Sequence, residues 1–244
     1  MSQTWILCKR ELRNYFSTPI AYVFIVVFLL LSGIATFYIG NFFARGQADL
    51  VPFFSFHPWL YMLFIPAISM RLWSEERKSG TIELLFTLPI TTWQAICGKF
   101  LAAFIFTAIA LSLTFPLWIV VNYLGHPDNG VILVSYFGSL LMAGGFLAIG
   151  AAISALTKNQ VVAFVLTLIT CLLLNLLGFP MVLDLMRPIL PHVLLETFRS
   201  FSFLTNFDTI SRGLLELRSV IYFATLIIFS LFANAVIIET KKAD

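Results

Sequence analysis

The chain has 244 residues, of which 60% are hydrophobic and 11% charged, with a formal net charge of +3 and a mean hydropathy of +0.96. A soluble domain carries about 25% charged residues, so this balance excludes one, and the small positive excess gives no footing for nucleic acid. An all-α polytopic membrane protein remains, a single transmembrane domain over 1–244, with 26 Phe and five Trp suited to lipid-facing and interfacial positions.

In chain order, residues 1–17 open the chain with an amphipathic helix over 2–17. Trp5, Cys8, Leu12, Tyr15 and Phe16 share one face, with Lys9, Arg10, Arg13 and Asn14 largely opposite. The pattern predicts a helix lying flat in the membrane interface, cations toward anionic headgroups. The alternative is the charged region of a signal peptide, with Gly33-Ile34-Ala35 as its cleavage site. The hydrophobic run continues through Phe37, Tyr38 and Ile39, too long for that, so it reads as a retained first span.

Crossing the hydrocarbon core takes roughly 20 apolar residues. Six runs meet this, near 19–40, 53–73, 96–124, 131–156, 160–181 and 219–238. The second holds or borders Pro52, Pro58 and Pro66 and reads as a kinked span. With both termini cytoplasmic, the inner side holds Lys9, Arg10, Arg13, Arg71, Arg77, Lys78, Lys99, Lys158, Lys241 and Lys242. The outer side holds Arg45, Arg187, Arg199, Arg212 and Arg218, mostly in one long loop. The positive-inside rule selects this orientation.

The span interiors are read as free of charge and carry only mild polar groups such as Thr167, Thr170, Asn175 and Asn234. Ion-coupled pumps need ionisable residues at membrane depth, so no internal energy source is visible. Nor is a phosphate-binding loop present: before Gly98-Lys99, Trp93 stands where the first glycine belongs, and Phe100 follows where Ser or Thr is required. Nucleotide hydrolysis must come from another chain. Cys8, Cys97 and Cys171 match neither a disulfide framework nor a metal spacing, and His57, His126 and His192 share no ligand spacing. The small residues Gly144, Ala148 and Ala152 allow close helix approach, either within the bundle or at a dimer seam.

Two polar stretches stand out. The loop of about 182–218 is too long for a simple connection and reads as short outer amphipathic or re-entrant helices. It is either a plug that closes the bundle or an outer gate, with Phe198, Phe201, Asn206, Phe207, Asp208 and Arg212 as candidates. The other is the cytoplasmic segment of about 74–92. The second span continues as a helix through Glu75, Glu76, Arg77 and Lys78, and Gly80 breaks it. A short helix over Thr81–Phe86 follows, with Glu83 in its first turn, and Ile82, Leu85 and Phe86 able to form an apolar face. Pro89 ends it, and Thr91 to Gln94 forms a capping box into the third span. Either an apolar knob docks into a groove of a soluble partner, or the segment lies in the interface.

The run RLWSEERKSGTIELLFTLPITTWQAICGKF closely resembles the cytoplasmic segment of ABC-2 type permeases. Glu75-Glu76, Gly80-Thr81-Ile82-Glu83-Leu84-Leu85 and Pro89 carry the likeness. Lys9-Arg10-Glu11-Leu12 through Pro19 is similar to that family's N-terminal interfacial helix. NFDTISRGLLELRSVIYF resembles the segment before the last span in the gliding-motility-type branch, which often has Asp where Ser219 stands. The resemblance implies a six-span exporter permease that is not itself an enzyme, in a bacterial cytoplasmic membrane. It further implies a second permease, identical or related, and separate ABC ATPase subunits that hold ATP and magnesium, with no cofactor in this chain. Thr81–Phe86 would be the coupling helix, and Glu75, Glu76, Arg77 and Lys78 would steer docking by charge pairs. The gliding-type likeness keeps open a non-transporting anchor that transmits force. A membrane-embedded enzyme lacks any convergent set of catalytic residues.

Overall fold

A computed structural model describes residues 3–87, 89–187 and 191–241, and among these all regular structure is helical. Helices α1 (Gln3–Ser17) and α2 (Pro19–Ile34) come first, and α2 runs on through a wider π turn over Ala35–Ile39. Together Pro19–Ile39 makes an apolar stretch of 21 residues, about 32 Å of helix against a hydrocarbon core of about 30 Å.

The second apolar run divides into α3 (Val51–Ser55), α4 (His57–Ser69) and α5 (Arg71–Ser79), followed by α6 (Thr81–Thr87). Next come α7 (Thr92–Ser112) and α8 (Phe115–Leu124), interrupted at Leu113–Thr114 because Pro116 has no N–H for the Ser112 carbonyl. Then follow α9 (Asn129–Leu156) and α10 (Gln160–Leu176), the short helices α11 (Pro180–Met186), α12 (His192–Ser200) and α13 (Phe203–Ser211), and α14 (Leu217–Lys241). Four stretches are long and apolar enough to cross a membrane: Pro19–Ile39, Thr92–Leu124, Asn129–Leu156 and Leu217–Lys241. Helix α10 is apolar but has only 17 residues.

Helix α9 is the axis. Of its most apolar window 67% is buried, against 28 to 33% in the other three long stretches, and α14, α4, α10, α13, α5 and α7 all pack on it. Its small residues admit these neighbours. Ile227 of α14 lies against Gly144, and Leu226 of α14 and Phe203 of α13 against Gly145, so part of the small-residue stripe serves packing inside the bundle. Asp128 caps α9, its Oδ1 accepting from Gly130 N–H at 2.9 Å.

Helix α1 runs alongside α7 in the same direction. Leu7 abuts Gly98, and eight residues later Tyr15 stacks on Phe106 at 5.1 Å. The buried face is Leu7 and Cys8, with Leu12, Tyr15 and Phe16 half-buried, whereas Trp5 and Ile6 point outward. Gly98, with no side chain, lets the two helices touch.

Within the loop of 182–218, helix α13 packs against α9. Phe203 at the start of α13 is fully buried and stacks on Phe146 of α9 at 4.2 Å, while Ile210 at its other end meets Gly138. The early end of α10 leaves room for α13 to pack into the bundle. Ser202 caps α13 and donates to the Asn175 carbonyl near the end of α10 at 3.3 Å.

Candidate coupling surface

The charged end of α5 and the short α6 form one angular unit. Gly80 sits between them at φ +71°, in the left-handed region that favours glycine, and its N–H closes α5 on the Glu76 carbonyl. The Thr91–Gln94 capping box restarts the chain into α7, with Gln94 N–H donating to Thr91 Oγ1 at 3.3 Å and Thr91 N–H to Gln94 Oε1 at 3.0 Å.

The candidate coupling residues divide into an inward and an outward set. Lys99 Nζ lies 2.8 Å from Glu76 Oε1 and 3.5 Å from Glu11 Oε1, and its side chain is only 4% exposed. Arg10 pairs with Glu11 at 2.7 Å, so Arg10, Glu11, Lys99 and Glu76 alternate in sign across α1, α7 and α5. Trp73 sits beneath the Lys99 ammonium, 5.2 Å from it. Burial alone would raise the Glu11 carboxyl, but Lys99 and Arg10 hold it below its ordinary value near 4.5. Arg77 donates to the Ala155 carbonyl at the end of α9, and Lys241 of α14 donates to the neighbouring Leu156 carbonyl at 3.1 Å. Two cations from separate helices thus satisfy the negative end of α9.

A third tie lies at the α4–α5 junction. Ser154 Oγ of α9 accepts from the Trp73 and Ser74 N–H groups, both at 3.1 Å, and donates to the Met70 carbonyl at 2.9 Å. A hydroxyl standing in the helical ladder is one of the few causes of a helix break.

The outward set is Glu75, Lys78, Thr81, Glu83 and Leu84. Leu84 is 66% exposed, whereas Leu85 is 5% exposed and Ile82 packs against the core. The apolar face read from Ile82 and Leu85 therefore turns inward, and Leu84 is the exposed knob. The Phe86 side chain lies outside the described residues, as does Lys242 among the inner cations. Sequence reasoning missed Lys99, Ser154 and Glu11 as ties. The available signal was a lone lysine in an otherwise apolar helix, with carboxylates at 11 and 76.

At the other end, a cavity of about 780 Å³ opens between α3, α4, α11 and α13, with Phe207, Asp208 and Arg212 among its lining residues. Of the candidate gate residues, Asn206 and Phe207 are buried. Asn206 Nδ2 donates to the Ser200 carbonyl at 2.8 Å and the Ser202 carbonyl at 2.9 Å, which fixes the α12–α13 corner. Asp208 and Arg212 pair at 2.8 Å on the exposed rim. Phe201 is exposed and Phe198 half-buried. His57 lies inside an aromatic box of Phe28, Phe53, Phe54, Tyr61 and Phe207. Among the described residues no group of three His, Cys, Asp or Glu could hold a metal.

The chain is 28% identical over 92 residues to "Probable multidrug ABC transporter permease YbhR" of Escherichia coli strain K12, and equally to the protein of that name in Escherichia coli O157:H7. The similar stretch covers 38% of this chain and 24% of those relatives. A family model described as "ABC-2 family transporter protein" matches residues 5–239, from the first turns of α1 to the end of α14. The chain belongs to the ABC-2 transporter family.

Proposed function

We propose that this chain is the membrane permease of an ATP-binding-cassette exporter, driven by ATP hydrolysis in separate ATPase subunits. The carrying observation is the α5–α6 unit, tied to α7, α9 and α4 by Glu76–Lys99, Arg77–Ala155 and Ser154, with Glu83 and Leu84 left free. A force on α6 from a closing ATPase dimer has rigid routes into three membrane helices, which a two-state transporter needs.

The reading takes six spans, with α3–α5 as a broken second and α10 as a short fifth, and places both termini and α6 on the cytoplasmic side. Thr92–Leu124 has 33 residues, about 50 Å of helix, well beyond the core of about 30 Å. That excess allows the Lys99 end of α7, with α1 beside it, to project into the headgroup layer. A second permease completes the path. The exposed apolar faces of α2 (Val23, Val27, Leu30) and α10 (Val162, Leu166, Ile169) are available to it or to lipid.

Affinity purification of the full chain from membranes in mild detergent tests this reading. An ABC ATPase and a permease chain should co-purify, and the complex in vesicles should move a solute only with ATP. Absence of an ATPase refutes the reading. An ATPase with no solute movement under any condition favours a force transmitter instead.

A further inference from the structure

A cavity of about 360 Å³ lies between α1, the start of α2 and the α4–α5 junction. Its floor is apolar, made by Ile20, Ala21, Phe24, Ala67 and Ile68. Its rim carries six charged side chains. Four of them, Arg10, Glu11, Glu76 and Lys99, are engaged with one another. Arg71 and Glu75 are left over.

These two differ from the rest. Arg71 Nε is buried with no hydrogen-bond partner, and among the described residues no acceptor or carboxylate engages its guanidinium. Glu75 stands one helical turn away on α5 and is exposed; among the described residues no hydrogen bond or ion pair engages its carboxylate. Both border the same space: the Tyr15 hydroxyl is pushed up first by burial, then by Glu11 and Glu75, with Arg71 opposing. A cation and a carboxylate thus face one cavity without meeting. The cavity straddles Pro19, where the chain passes from polar to apolar, so its polar rim meets headgroups and its floor meets acyl chains.

We propose that this cavity binds a zwitterionic aminophospholipid of the surrounding membrane, phosphate on Arg71 and primary ammonium on Glu75, one acyl chain along Ile20 and Phe24. A guanidinium matches phosphate oxygens bidentately. A carboxylate takes N–H donors from a primary ammonium, and a trimethylated ammonium has none to give. A glycerol headgroup leaves Glu75 beside an anionic lipid with no cation to face. The bound lipid staples α5 to α1 and α2, steadying the coupling unit from the lipid side. The inference shares with the proposed function only the placement of this end at the membrane surface, and needs no ATPase.

Native mass spectrometry of the detergent-purified full chain tests it, with phosphatidylethanolamine, phosphatidylcholine and phosphatidylglycerol offered in equal amounts. The ethanolamine lipid should be retained roughly tenfold better than the choline lipid, the worth of one charge-assisted hydrogen bond. Glu75→Gln should erase that preference while phosphate-dependent binding persists, and Arg71→Gln should weaken all three lipids. If Arg71→Gln fails to fold, the exposed Glu75→Gln still decides. Equal retention of ethanolamine and choline lipids, stronger retention of phosphatidylglycerol, an unchanged preference in Glu75→Gln, or displacement by inorganic phosphate alone would each overturn the proposal. So would a dimer of the chain that retains no lipid, which would assign the cavity to a second copy.

Discussion

Lys99 Nζ stands 2.8 Å from Glu76 Oε1 and also reaches Glu11, which makes one ammonium the junction of α1, α5 and α7. Removing one partner of a buried pair leaves its counter-charge uncompensated, at about 3–5 kcal/mol. Lys99→Met should therefore lower the unfolding midpoint in detergent markedly. Lys99→Met with Glu76→Leu should recover at least half of the loss, because an apolar pair replaces the stranded carboxylate. A double variant as unstable as the single would show that the pair is not the source of the effect.

The same cluster predicts an acid limit. Glu11 has a folded value held below its ordinary one near 4.5, so its contribution is complete above that value and fades as pH falls through the lower folded value. Wild type should exceed Glu11→Gln in thermal stability at pH 7, and the difference should shrink toward zero on acidification below about pH 4. A difference that stays constant across this range would contradict the assignment.

Ser154 holds the α4–α5 break. Ser154→Ala leaves the Trp73 and Ser74 N–H groups without their acceptor, at about 1–3 kcal/mol. Hydrogen exchange at residues 73 and 74 should accelerate in this variant, while exchange in α14 stays as in wild type.

Helix α13 depends on the absence of a side chain at 138, where a Cβ would fall 2.4 Å from Ile210 Cγ2. Gly138→Ala should destabilise by about 1–3 kcal/mol through overpacking. Ile210→Ala in the same chain should restore part of it, because it removes the atom that clashes.

Local chemistry was the legible part. The Gly80 break and the Thr91–Gln94 box follow from residue types whose preferences hold anywhere, and α1 spans Gln3–Ser17, close to the 2–17 of its amphipathic pattern. What α1 packs against was not legible, since an apolar face suits acyl chains and Gly98 equally. The inward turn of Ile82 and Leu85 was hidden for a related reason. A helix of seven residues has no sustained period, so its neighbours decide which leucine is exposed. Lys99 read as a topology marker because its partners, Glu11 and Glu76, are distant in sequence and only the fold brings them to it. The dive of α13 rests on Gly138 and Gly145 opposite Ile210 and Phe203, a fit of shapes between distant segments.

We propose that the ATPase engages α6, through Leu84 and not Leu85. A photo-crosslinking residue placed at Leu84 in otherwise intact cells tests it, with Leu215 at the opposite end of the bundle as the control. Position 84 should give an adduct with an ABC ATPase and position 215 none. Leu84→Asp should lose the co-purifying ATPase without loss of stability, whereas Leu85→Ala should lower stability by about 2–5 kcal/mol. No ATPase adduct at 84, or an equal one at 215, would contradict it.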